Sequence, residues 1–134
     1  LMRDRGHEYG STTGRPRRCG WLDLPALRYA IMINGVTRLF MMKADVLSGF
    51  REISVCTSYS AGGREITEIP YHLDEIDKVN YKTMPGWNCE ISGCKDFSEL
   101  PPELESYISF IEKETGVPIT IVSVGPDRIA TIYR

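Results

Sequence analysis

Residues 22–36, LDLPALRYAIMINGV, carry apolar side chains on nearly every side of a helical wheel: Leu24, Leu27, Ala30 and Ile31 on one face, Ala26 and Ile33 beyond it. The pattern predicts a helix that is largely buried. Asp23 is placed to cap it, Pro25 falls in its first turn, and Asn34-Gly35 stops it. A second periodic stretch runs from about Ser98 to Thr115. There Leu104, Tyr107, Ile108 and Ile111 form one stripe, Glu103, Glu105, Glu112 and Glu114 lie outside it, and Gly116 closes the helix. The short apolar run Leu39 to Met42 predicts a buried strand, after which Asp45 is positioned to cap one helical turn ending at Gly49.

EISVCTSY and REITEIPY flank the turn SAGG and predict a β-hairpin. Residues 72–96 are less regular, with turn residues in MPGW and SGC and one strand around Tyr81. PITIVSV predicts a buried strand, GPDR a turn and IATIYR a last strand, while residues 1–20 have no sustained period and read as loop or short strand. The fold class expected is α/β, of the mixed α+β kind. A mixed β-sheet with a β-hairpin is packed by two main helices, at about 23–34 and 98–115, in a single domain over 1–134. Each helix is followed by a strand ending in a small polar cluster, KAD at 43–45 and SVG at 123–125. Ligands of such sheets bind beyond the carboxyl ends of the strands, so neighbouring strands would turn both clusters toward one pocket.

Composition adds little to this: 42% hydrophobic and 25% charged residues suit a globular domain. No apolar run approaches membrane-spanning length, and the start has no signal-peptide pattern. Beginning at Leu1 in polar, charged sequence, the chain reads as a piece of something longer. Charge changes the picture more. The net charge is −2, yet residues 1–18 hold five arginines against Asp4 and Glu8, a local +3 over a body of −5. That asymmetry suggests a local anion site rather than a nucleic-acid face, which requires widely spread positive charge. Of Cys19, Cys56, Cys89 and Cys94 only the last two are close in sequence, and neither His7 nor His72 lies near that pair, whereas a zinc site shows two tight pairs; reduced, structural cysteines in a cytosolic protein are expected.

Three clusters carry candidate chemistry. In GSTTGRPRRCGW, Gly10 and Gly14 allow the N–H groups of Ser11, Thr12 and Thr13 to converge on an anion, and Arg15 and Arg17 alternate around Pro16. Guanidinium forks grip carboxylates and phosphates bidentately, although a solvated basic loop has the same composition. In Lys43-Ala44-Asp45, a carboxylate at a strand end can accept from both N1–H and the N2 amino group of guanine, and adenine offers neither. Lys43, two residues earlier on an extended strand, would point the same way and lay its stem over the base. Taken alone, the tripeptide is more simply read as Lys43 ending a strand and Asp45 capping a turn, since three-residue motifs recur by chance. In Ser123-Val124-Gly125, the hydroxyl can donate or accept and the glycine permits close backbone approach, or the segment is an ordinary strand-to-turn junction before Pro126.

The ordered run GSTTGRPRRCGWLD, KADVL, MPGW, TGVPI and SVGPDR resembles adenylosuccinate synthetase, over essentially all 134 residues but only the C-terminal part of that enzyme. The resemblance implies a cytoplasmic, homodimeric ligase that joins IMP to L-aspartate with GTP and Mg2+, in AMP synthesis. It implies that Ser11, Thr12, Thr13, Gly14, Arg15, Pro16 and Arg17 close over aspartate, with Arg15 also reaching IMP and Arg17 beside the GTP phosphates. It further implies that Lys43, Ala44 and Asp45, with Ser123, Val124 and Gly125, form the guanine pocket. Ala44 and Val124 depart from residues common at those positions. No G-x-x-x-x-G-K phosphate loop occurs, and neither His7 nor His72 matches the family's catalytic histidine, so no catalytic residue and no metal ligand is assigned and the piece alone is expected to be inactive. A free-standing guanine-nucleotide or anion-binding module is the alternative, and a nucleic-acid-binding domain working through residues 3–18 a further one.

Overall fold

The computed structural model describes residues 1–134. Strand β1 (Leu22–Asp23) leads directly into helix α2 (Leu24–Asn34), preceded in the chain by the single turn α1 (Met2–Arg5). Asp23 caps α2 by accepting the Ala26 N–H at 3.0 Å, and Gly35 ends it in the left-handed conformation at φ 59°. The Tyr59 hydroxyl donates to both Asp23 carboxylate oxygens, at 2.7 and 2.6 Å. One carboxylate thus anchors the helix start to the sheet beneath it.

The expected burial of α2 is not found. Only Leu24 and Pro25 are buried, while Tyr29, Met32 and Ile33 stand exposed. A helix that is apolar all round needs neighbours on all sides, and within these residues it contacts mainly one sheet and the second main helix. That second helix, α3, spans Pro102–Thr115 and starts later than Ser98. Leu100 and Pro101 precede prolines and are held extended, so residues 97–99 form a separate 3-10 turn. Leu104, Tyr107, Ile108 and Ile111 are buried as expected. The glutamates opposite are not all solvated: Glu112 accepts from Arg134 at 2.6 Å and from the Ile119 N–H at 2.8 Å, and Glu114 pairs with Arg28.

The strands form two sheets, where one was expected. In the first, β3 (Glu52–Ala61) has β5 (Lys78–Pro85) antiparallel along one edge, with β1 parallel and β4 (Arg64–Ile66) antiparallel on the other. Gly62 and Gly63, at φ 54° and 76°, make the hairpin turn that the right-handed strand twist favours. In the second sheet, β6 (Ile119–Ser123) lies between β2 (Leu39–Met41), parallel to it, and β7 (Thr131–Tyr133), antiparallel. β2 is an edge strand rather than a buried one, and Phe40 and Met42 are more than half exposed. The core between the sheets and helices includes Ile53, Val55, Trp87, Ile108, Val122 and Ile132. All four cysteines are unpaired, and burial pushes the Cys56 thiol up to about 11.

Gly86 closes this packing, because a Cβ there would lie 2.3 Å from the Phe50 carbonyl oxygen. Gly86→Ala is expected to lower stability by about 2–3 kcal/mol in denaturant unfolding, since backbone must move. Gly93→Ala, with no atom within 4 Å of the added carbon, should stay within about 0.5 kcal/mol.

Candidate functional site

The parallel pairing of β2 with β6 aligns Met41 with Val122, and so sets the clusters at 43–45 and 123–125 at one rim of the sheet. The expectation of neighbouring strand ends is met. The local geometry differs from an extended strand, however. Lys43 is left-handed at φ 59°, ψ 37°, and starts a 3-10 turn over Ala44–Leu47, so Asp45 lies inside that turn and does not cap it. The Asp45 carboxylate takes part in no ion pair. Ala44 and Val124 are buried in the core, so they offer a ligand backbone only.

On the facing side, Ser123 is buried and its hydroxyl donates to the Gly125 carbonyl at 3.0 Å. The Val124 N–H donates to Ala130 at 2.9 Å, and a Cβ on Gly125 would approach the Ala130 side chain to 3.1 Å. The close approach that Gly125 permits is therefore internal to the 123–130 turn.

The arginine-bearing loop stands on a small hairpin stem. Tyr9 bridges Pro16, Gly10 N–H donates to the Arg15 carbonyl, and Arg17 N–H donates to the Glu8 carbonyl. Gly14 turns the loop at φ 64° and bonds back to Gly10 at 2.8 Å. Ser11 through Gly20 are exposed. The backbone N–H groups of Ser11, Thr12 and Thr13 have no backbone acceptor, as an anion-holding loop requires.

The arginines divide by what they touch. Arg3 donates to the Arg17 carbonyl at 2.7 Å; Arg5 donates to the Ser48 carbonyl and lies over the Phe50 ring. Both hold the segment to the fold. Arg17 pairs with Glu8 at 2.9 Å, and the same carboxylate pairs with Lys43. Mutual repulsion of free guanidinium groups, which would favour an open loop, therefore applies less to Arg17 than to Arg15. The hydrogen bonds from Lys43, then from Arg17, hold the Glu8 carboxyl below its ordinary range. These three side chains line a cleft of about 260 Å³ with Gly6, Val46 and Leu47. A larger cleft, of about 570 Å³ between α2 and residues 67–69, contains none of the expected site residues.

A profile of the adenylosuccinate synthetase family matches residues 1–132. The chain belongs to the adenylosuccinate synthetase family. It is 55% identical to the adenylosuccinate synthetase of Cytophaga hutchinsonii and 58% identical to that of Flavobacterium psychrophilum, over 99% and 96% of its length. It spans only 31% of either relative. A solved structure of fully ligated adenylosuccinate synthetase from Plasmodium falciparum superposes with a TM-score of 0.93 at 40% identity, over 99% of this chain and 33% of that one.

Within this synthetase fold, Glu8 is the residue that sequence reasoning passed over, counting it only toward net charge. A lone carboxylate two residues before a glycine-rich arginine loop was the available signal. No three His, Cys, Asp or Glu side chains converge as metal donors, so these residues do not by themselves fit a magnesium site. The division of the arginines gives a direct check by thermal or denaturant unfolding. Arg5→Leu should cost about 1 kcal/mol through its lost hydrogen bond and ring contact, whereas Arg15→Leu should stay within about 0.5 kcal/mol.

Proposed function

We propose that these residues form the aspartate-facing and guanine-binding part, C-terminal in the whole enzyme, of a GTP-dependent ligase making adenylosuccinate from IMP and L-aspartate. The observation carrying this reading is the shared rim: residues 43–45 follow β2 where it ends beside β6, Lys43 pairs with Glu8 of the arginine loop's stem, and Asp45 has no ion-pair partner. In the proposed reaction the GTP γ-phosphoryl group moves to the purine 6-oxygen, releasing GDP. The aspartate amine then attacks C6, a C–N bond forms, and the C6–O bond breaks to release phosphate.

Each residue has a role consistent with its chemistry. Ser11, Thr12, Thr13, Gly14, Arg15, Pro16 and Arg17 enclose the aspartate carboxylates, with fixed N–H groups and guanidinium replacing water. Arg15 also faces IMP, and Arg17 faces the GTP phosphates. Asp45 accepts from guanine N1–H and N2, the Lys43 stem covers the base, and Ala44, Ser123, Val124 and Gly125 contribute backbone to the pocket wall. Magnesium and the proton-transferring groups are assigned to the rest of the enzyme. The reading carries with it a cytoplasmic homodimer. No helix here is long and apolar enough to cross a membrane.

The 134-residue chain alone is expected to give no absorbance change with IMP, aspartate and GTP; turnover above a blank would overturn the division of labour. In a full-length synthetase carrying this segment, Asp45→Asn should raise the GTP KM by about tenfold or more, because one acceptor becomes a donor facing a donor. The IMP and aspartate KM values should hold, and xanthosine triphosphate, with an acceptor at ring position 2, should partly restore use. Arg15→Leu should instead raise the aspartate KM or depress turnover. An unchanged GTP KM in the first variant would remove Asp45 as the base reader.

A further inference from the structure

Resting on that reading of the site, we propose that Glu8 is a positioning residue that fixes the guanine-side Lys43 and the phosphate-side Arg17 to one another, and so couples GTP binding to the aspartate loop. One carboxylate, about a quarter exposed, accepts from Arg17 through Oε2 at 2.9 Å and from Lys43 through Oε1. The Lys43 ammonium donates a further bond to the Gly6 carbonyl at 2.8 Å. The two cations come from different parts of the chain, the stem of the arginine loop and the end of β2, and Glu8 is the one side chain that pairs with both; their other bonds, from Lys43 to the Gly6 carbonyl and from the Arg17 N–H to the Glu8 carbonyl, go to backbone. Neutralising Glu8 leaves two positive groups side by side with no intervening anion.

Backbone conformation supports the same assignment. His7 and Lys43 are the only non-glycine residues with positive φ, at 49° and 59°, and they flank this contact on its two sides. Such conformations persist where surrounding contacts over-determine them; Lys43 is held by Glu8 and the Gly6 carbonyl, and His7, between those two residues, is held by backbone bonds to Asp4 and Tyr9. Gly6 is itself buried against Val46 of the 3-10 turn that carries Asp45. Movement of the 6–8 segment therefore shifts Lys43 and the loop stem together. Glu8 has no role in bond making; it acts through the residues it holds.

The test is steady-state kinetics of a full-length synthetase carrying Glu8→Gln, which keeps the side chain's size and removes its charge. GTP and aspartate KM values are expected to rise together, each by about fivefold to tenfold. The IMP KM should change by less than about twofold and kcat by less than about threefold. Glu8→Asp, one methylene shorter and able to reach one cation well but not both, should give intermediate values, and it carries the comparison if Glu8→Gln does not fold. A variant that melts earlier but saturates normally with GTP and aspartate would reduce Glu8 to a structural residue and overturn the proposal. So would a rise in the GTP KM alone, which would show no coupling. Asp45→Asn and Arg15→Leu in the same protein separate the two levels: if they too leave both KM values unchanged, the reading of the whole site fails, and this inference with it.

Discussion

The parallel pairing of β2 with β6 is the constraint on which the rest depends. Residues 43–45 and 123–125 are some eighty positions apart in the chain, and only the register Leu39–Ile119, Phe40–Ile121 and Met41–Val122 sets their ends side by side. The rim is made rigid from below. Ala44 and Val124 belong to the same buried core as Val122, Ile119 and Ile132, so each cluster is pinned through its central residue; Lys43 stays exposed and Asp45 half-buried, while Ser123 and Gly125 are buried beside Val124. Apolar residues at the two middle positions thus serve packing, and in the proposed reading ligand chemistry falls to Lys43, Asp45 and backbone. The helix-then-strand order makes this possible, because α3 delivers β6 beside β2 with its hydrophobic stripe against the core.

The N-terminal segment is built onto that rim rather than hung beside it. The local excess of positive charge in residues 1–18 suggests a local anion site, but much of it is already engaged within the fold. Arg3 and Arg5 satisfy carbonyl oxygens, and Arg17 shares Glu8 with Lys43. Electrostatics here is a matter of few, placed charges, in which a single carboxylate decides where two cations sit. Because these groups are largely exposed, the pairs specify geometry more than they stabilise the fold.

Local signals in the sequence were legible where one residue type dictates one conformation. Asp23 at the helix start, Gly35 and Gly116 at helix ends, and the Gly62-Gly63 turn all act as their chemistry requires. The start of α3 lies later than the periodic stripe indicates, because periodicity takes no account of the two prolines that hold 100 and 101 extended. The exposure of α2 was not legible: periodicity reports how much apolar surface a helix presents, not whether a partner covers it. The left-handed Lys43 has no mark in the sequence, where a residue at a strand end is expected to be extended; tertiary contacts impose it. Glu8 is inconspicuous in the sequence for a related reason. Its importance lies in a contact thirty-five residues away along the chain.

The most direct test of the account is a crystal structure of a full-length synthetase carrying this segment, with a non-hydrolysable GTP analogue, IMP and aspartate bound. The account predicts guanine at the rim formed by 43–45 and 123–125, with both Asp45 carboxylate oxygens about 2.7–3.2 Å from N1 and N2. Guanine seated elsewhere, or Asp45 turned away and solvated with the base in place, would contradict it.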